Sequence, residues 1–137
     1  MAPPSPDGAA SEPEELRAAV ADARERALVR RAGLAREFDA IVASADTANA
    51  DDEHDPEGQT IGFERAQVSA LLAEVAARLV ELDRADARLR AGTFGRCEGC
   101  GGLVTHERLL AAPTTTTCID CATSAERVRH RTPDGSR

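Results

Sequence analysis

Tryptophan, tyrosine and lysine are absent from this 137-residue chain, and aromatic residues make up only 2% of it. The shortage of aromatics removes the platforms on which single-stranded bases stack. It also argues against a thick globular core and for long, solvent-exposed helices. All 17 basic residues are arginine, consistent with codon usage in a GC-rich genome, and 24 acids leave a formal charge of −7. That balance excludes a general grip on phosphate backbones, which needs a positive face. No apolar run reaches the ~20 residues that span a bilayer. The opening stretch "MAPPSPDGAASEPEE" lacks the basic and apolar parts of a signal peptide, so the expected location is the cytoplasm.

What is present falls into three blocks. Residues 1–13 are rich in Pro, Ala, Ser and acid and read as a disordered tail, as do residues 131–137. From Glu14 to about Asp46, Ala, Arg, Glu and Leu dominate. Apolar residues there fall at Leu16, Val20, Ala23, Ala27, Leu34, Phe38, Ile41 and Ala45, with one skip at Arg30 or Arg31. Steps of three and four mark a helix with a narrow apolar seam. A second row runs through Val68, Leu72, Val75, Leu79, Leu82 and Leu89, interrupted by Asp86. The sequence Asp55-Pro56-Glu57 suits the start of that second helix: Asp caps free N–H groups, Pro fits the first turn and Glu suits the positive end of the dipole. Each arm has roughly 33 residues, or about 50 Å at 1.5 Å per residue. A short connection makes the arms antiparallel. The expected fold is all-α and elongated. It consists of an antiparallel coiled-coil hairpin over 14–92 with its tip at 51–58, then a small head over 93–130 that ends in a short helix.

The head contains Cys97-x2-Cys100 and Cys118-x2-Cys121, the spacing of a four-thiolate zinc site. Each tight turn presents two sulfurs to one metal. Gly99, Gly101 and Gly102 are expected to turn backbone N–H groups toward those sulfurs. The second pair leads into "IDCATSAERVRH", a short helix whose positive end favours thiolate. Two disulfides are the alternative, disfavoured in a cytoplasmic chain. With all four positions filled by thiolate, one zinc per chain is structural, and no position remains for a catalytic water. His106 and His130 are surplus and read as surface residues. No nucleophile–base pair or phosphate loop points to an enzyme.

The tip, "DDEHDPEG", packs Asp51, Asp52, Glu53, Asp55 and Glu57 together. A calcium-loop template fits it poorly, because Glu53 is too long for the first position and Pro56 stiffens the fourth. A cluster of this kind also occurs as a merely solvated loop. The zinc segment "AGTFGRCEGCGGLVTHERLLAAPTTTTCIDCA" behind an acidic-tipped hairpin resembles the DksA/TraR family of C4 zinc-finger transcription factors. The resemblance is carried by G-x-F-G-x-C-x-x-C-G and R-L-x-A-x-P ahead of the second CxxC. It implies a monomer that binds bacterial RNA polymerase rather than a specific DNA sequence, with its hairpin in the secondary channel. It also implies that tip carboxylates act near the catalytic magnesium and change promoter-complex lifetime. Asp52 and Asp55 match the two aspartates of the family's tip pattern D-x-x-D-x-A, whereas Glu57 takes the alanine position. Some members form a site for guanosine tetraphosphate with basic residues where this chain has Ala112 and Ala122, which implies that alarmone coupling is weakened or absent, or uses Arg127 and Arg129. The competing expectation is a zinc-ribbon adaptor that joins other proteins, with the hairpin as a spacer.

Overall fold

The computed structural model describes residues 7–48 and 56–131, with side chains described for 12–47 and 59–131. The element order is α1 (Asp7–Ala48), α2 (Pro56–Ala91), α3 (His106–Ala111) and α4 (Ile119–Arg131). The long pair α1 and α2 forms the expected helical hairpin. The chain divides into two units, one made of residues 1–21 with 82–137 and the other of Asp22–Glu81.

Helix α1 is longer than expected. Residues 7–13, assigned above to a disordered tail, belong to it, and Pro13 lies inside the helix. Proline removes one N–H from the ladder, which makes it a natural start signal. Here the helix continues through it into Asp7-Gly8-Ala9-Ala10-Ser11-Glu12. At the other end Arg131, also assigned to a tail, closes α4. Residues 1–6 and 132–137 lie outside the described residues.

In the Asp22–Glu81 unit the seam is formed by the residues that the periodicity selects. Ala23, Ala27 and Leu34 of α1 and Val68, Val75 and Leu79 of α2 are buried, each at most 9% exposed. Phe38, Ile41, Ala45 and Leu72 are half-buried beside them. Arg30 and Arg31, the skip in the pattern, are exposed.

In the other unit Val20 of α1 and Leu82 of α2 are buried, Leu82 fully. Polar Asp86 does not break the row, because Ala85 takes the inward place at 0% exposure. Asp86 sits at the edge of the seam, 2.6 Å from Arg90 one turn on. Helix α2 then ends at Gly92, whose φ of 73° is the left-handed conformation that closes helices. The N–H groups of Thr93 and Phe94 both turn back onto the carbonyl of Arg88, at 3.0 and 3.2 Å. This cap reverses the chain into the cysteine segment.

The seam predicts a sharp contrast between adjacent residues. Leu82→Ala should cost ~2–5 kcal/mol, since it opens a cavity at a fully enclosed position. Glu81→Ala, at an exposed side chain in a 3.6 Å pair with Arg78, should stay within ~0.5 kcal/mol. Thermal denaturation followed by circular dichroism checks both. Equal losses would mean that the seam does not carry the hairpin's stability.

Candidate metal centre

The two cysteine pairs arrive by different routes. The first lies on a tight knuckle after α2. There Cys97 N–H donates to the Gly102 carbonyl at 2.8 Å and Gly101 N–H to the Cys97 carbonyl at 2.9 Å. A single antiparallel bridge, Arg96 to Leu103, closes the base of the knuckle. The second pair straddles the start of α4, with Cys118 just ahead of it and Cys121 in its first turn.

The loop between α3 and α4 is tied to both sides. Glu98 N–H, from within the first CxxC, donates to the Thr116 carbonyl at 2.8 Å. Arg108 Nε of α3 donates to the Thr117 carbonyl at 3.0 Å. Helix α3 is itself fixed by Thr105, which caps it by accepting the Arg108 N–H at 3.4 Å. The approach to Cys118 is therefore held from two directions by main-chain carbonyls.

These constraints bring the four sulfurs together. The Sγ atoms of Cys97, Cys100, Cys118 and Cys121 all lie within 4.8 Å of one another, and Cys100 and Cys118 are 3.9 Å apart. Sulfurs at 2.3 Å from a tetrahedral zinc stand about 3.8 Å apart, so the geometry fits that ion. None of the four is in a disulfide.

The electrostatics point the same way. Cys97 is drawn down to about 6, first because the N–H of Cys118 points at its sulfur, then those of Cys100 and Gly99; the Cys118 N to Sγ distance is 3.2 Å. Cys121 is pushed up to about 12 by the neighbouring sulfurs of Cys118, Cys97 and Cys100. Four thiolates at this spacing do not ionise together without a cation between them, and a divalent ion supplies that charge. When bound, zinc cross-links the knuckle to α4. The expectation for the glycines holds at Gly99 but not at Gly101, whose N–H goes to the Cys97 carbonyl instead of a sulfur.

Gly99 has a second, steric role. A Cβ there would stand 2.9 Å from Cys121 Sγ and 3.2 Å from its Cβ, closer than side-chain atoms tolerate. Only hydrogen fits between the knuckle and the opposing sulfur.

The metal site doubles as the small core of the head. Cys97 is buried with Val104 and Leu109, and Leu16, Phe94, Cys118 and Cys121 pack against them. Phe94 and Leu109 account for the Phe of G-x-F-G and the Leu of R-L-x-A-x-P. Leu16 belongs to α1, a contribution that its place at the start of the first seam did not reveal. His106, read above as a surface residue, places Nε2 3.0 Å from Glu15 Oε2 of α1. Helix α3 itself was not expected, although Thr105 followed by Glu107 is a start signal. Of the tip residues, Asp51, Asp52, Glu53 and Asp55 lie outside the described residues. Glu57 falls in the first turn of α2, its side chain outside them too.

Two measurements check the site. Elemental analysis should give one zinc per chain, and chelation should abolish the head's fold while α1 and α2 keep helical signal, because structural zinc supplies ~10–16 kcal/mol of apparent binding energy. Gly99→Ala should weaken zinc binding at least ~tenfold by competition with a chromophoric chelator, as disturbing a site's supporting contacts does. Gly33→Ala, where an added Cβ meets nothing within 4 Å, should leave zinc affinity unchanged. Equal affinities in all three proteins would remove the steric role of Gly99.

With the geometry in place, the chain can be set beside known proteins. It shares 43% identity over 51 residues with an uncharacterized protein of Aquifex aeolicus (strain VF5). That match covers 37% of this chain and spans about a third, 35%, of the relative's length. The structure of transcription factor DksA2 from Pseudomonas aeruginosa superposes with a TM-score of 0.57 at 23% identity, over 83% of this chain and 88% of that one. It shares the fold. Residues 92–127, from the glycine that ends α2 to the middle of α4, match the family of the prokaryotic dksA/traR C4-type zinc finger, bearing out the resemblance read from the two cysteine motifs.

Proposed function

We propose that this protein is a transcription regulator that binds bacterial RNA polymerase and places its acidic hairpin tip in the polymerase's secondary channel, altering the stability of promoter complexes. The observation that carries the proposal is the junction of two parts. A dksA/traR C4-type zinc finger over 92–127 continues directly from a helical hairpin of 42- and 36-residue helices. The fold is that of a protein described as a transcription factor. At 1.5 Å per residue the 36-residue α2 is about 54 Å long.

The working parts are assigned as follows. Cys97, Cys100, Cys118 and Cys121 hold a structural zinc and have no catalytic duty. Asp51, Asp52, Glu53, Asp55 and Glu57 form the acting tip. Carboxylates that cost little in water become potent beside a divalent ion or an arginine-lined wall. The protein acts as a monomer in the cytoplasm and catalyses no reaction. Among the described residues no helix is long and apolar enough to cross a membrane. Guanosine tetraphosphate needs cationic partners. Ala112, the residue that caps α3, and Ala122, whose N–H donates to the Cys118 carbonyl at 3.0 Å, supply none, so alarmone coupling is weakened or absent, or uses Arg127 and Arg129.

Binding and activity should be separable. Asp52→Asn with Asp55→Asn removes two charges and nearly preserves shape. Affinity for core polymerase should stay within ~threefold, since the arms and head supply most of the contact. Most of the effect on open-complex half-life at saturating protein should vanish. Equal half-lives with wild type and double variant would reduce the tip to a solvated loop, and no retention of core polymerase in a pulldown would defeat the whole proposal.

A further inference from the structure

The skip at Arg30 coincides with a groove. In the Asp22–Glu81 unit a cavity of about 390 Å³, open on one side, lies where the seam lacks an apolar layer. Its lining is Ala23, Arg26, Ala27 and Arg30 of α1 with Glu74, Val75 and Arg78 of α2. Ala23, Ala27 and Val75 are seam residues, 4–9% exposed, and form an apolar floor. Three guanidinium groups stand over that floor against one carboxylate. Arg26 and Arg30 lie one turn apart on the same face of α1. Arg78 faces them from α2 and also pairs with Glu81 at 3.6 Å.

The local charge runs against that of the protein. Between residues 22 and 36, five arginines (Arg24, Arg26, Arg30, Arg31 and Arg36) meet two acids, Asp22 and Glu25, in a chain whose formal charge is −7. A surface helix that needed only solubility would not set its cations around a gap in its own seam.

We propose that this groove is a docking site for an acidic helix of a partner protein, its glutamate or aspartate side chains held by Arg26, Arg30 and Arg78. Planar guanidinium groups bind carboxylate bidentately. The alanine and valine floor takes the methylene stems of the incoming side chains. Glu74 accepts a cation from the same helix and sets its register. An open groove does not enclose a small ligand as binding pockets do, which favours a macromolecular occupant. Nucleic acid demands a longer positive face than one patch flanked by acidic residues. The site is independent of the zinc centre and the tip, and its test needs no polymerase.

The test uses the full-length zinc-loaded protein at low salt. The probe is a fluorescently labelled helical peptide of alanine and glutamate with glutamates spaced i, i+4, compared with its glutamine counterpart and with an oligothymidylate of equal length. The acidic peptide should bind saturably and weaken as salt rises. Arg26→Gln with Arg30→Gln should raise its Kd at least ~tenfold, the size expected when charge partners are truncated. Arg65→Gln, exposed on α2 outside the groove, should leave it unchanged. Because all three positions are exposed, circular dichroism should give equal helicity for every variant. Absence of saturable binding, equal Kd for the double variant and wild type, or tighter binding of the oligothymidylate would each overturn the proposal.

Discussion

The head over 93–130 is organised around four sulfurs that lie within 4.8 Å of one another. Its enclosed cluster is Val104 and Leu109 with Cys97, and Cys97 is itself a ligand. The cysteine cluster and the small core thus share residues, and the surrounding hydrogen bonds bring two distant CxxC turns into register. The directed N–H groups at Cys97 and the crowding at Cys121 are two sides of the same arrangement. One sulfur is ready to ionise, another resists, and a central cation reconciles them.

The hairpin obeys a different constraint. A chain with three phenylalanines cannot build a thick core, so it spends its apolar residues on one narrow seam, much of it alanine. Small side chains let two helices approach closely but leave nothing to spare. Where one apolar layer is missing, at Arg30, the seam opens into a groove instead of closing over it. Where a polar residue falls on the row, at Asp86, the seam shifts by one residue to Ala85 and the carboxylate pairs with Arg90.

Much of this was legible in the sequence. Spacing of three and four identified nearly all of the buried seam, and the twin CxxC motifs identified the four cysteines that the fold gathers, because both signals are local. What escaped depended on contacts far apart in the chain. Leu16 packs on the cysteine cluster and Glu15 meets His106, pairings across about 90 residues that no periodicity encodes. Helix α3 was missed because six residues are too few to show a period, although Thr105 marked its start. The extension of α1 through Pro13 was missed for another reason: proline normally argues for a boundary, and here the helix runs through it.

The loop of four threonines ahead of Cys118 has an evolutionary consequence. Thr116 and Thr117 are engaged through their carbonyls, a group that every amino acid possesses, proline included. Their letters can therefore drift among descendants at little cost. The number of residues between the two cysteine pairs cannot, since one deletion would pull both acceptors out of reach of Glu98 and Arg108. At Thr116 and Thr117 selection on these two contacts acts on length and not on the side chain. In related chains the loop would look unconstrained letter by letter and be constrained in the gaps that it refuses to accept.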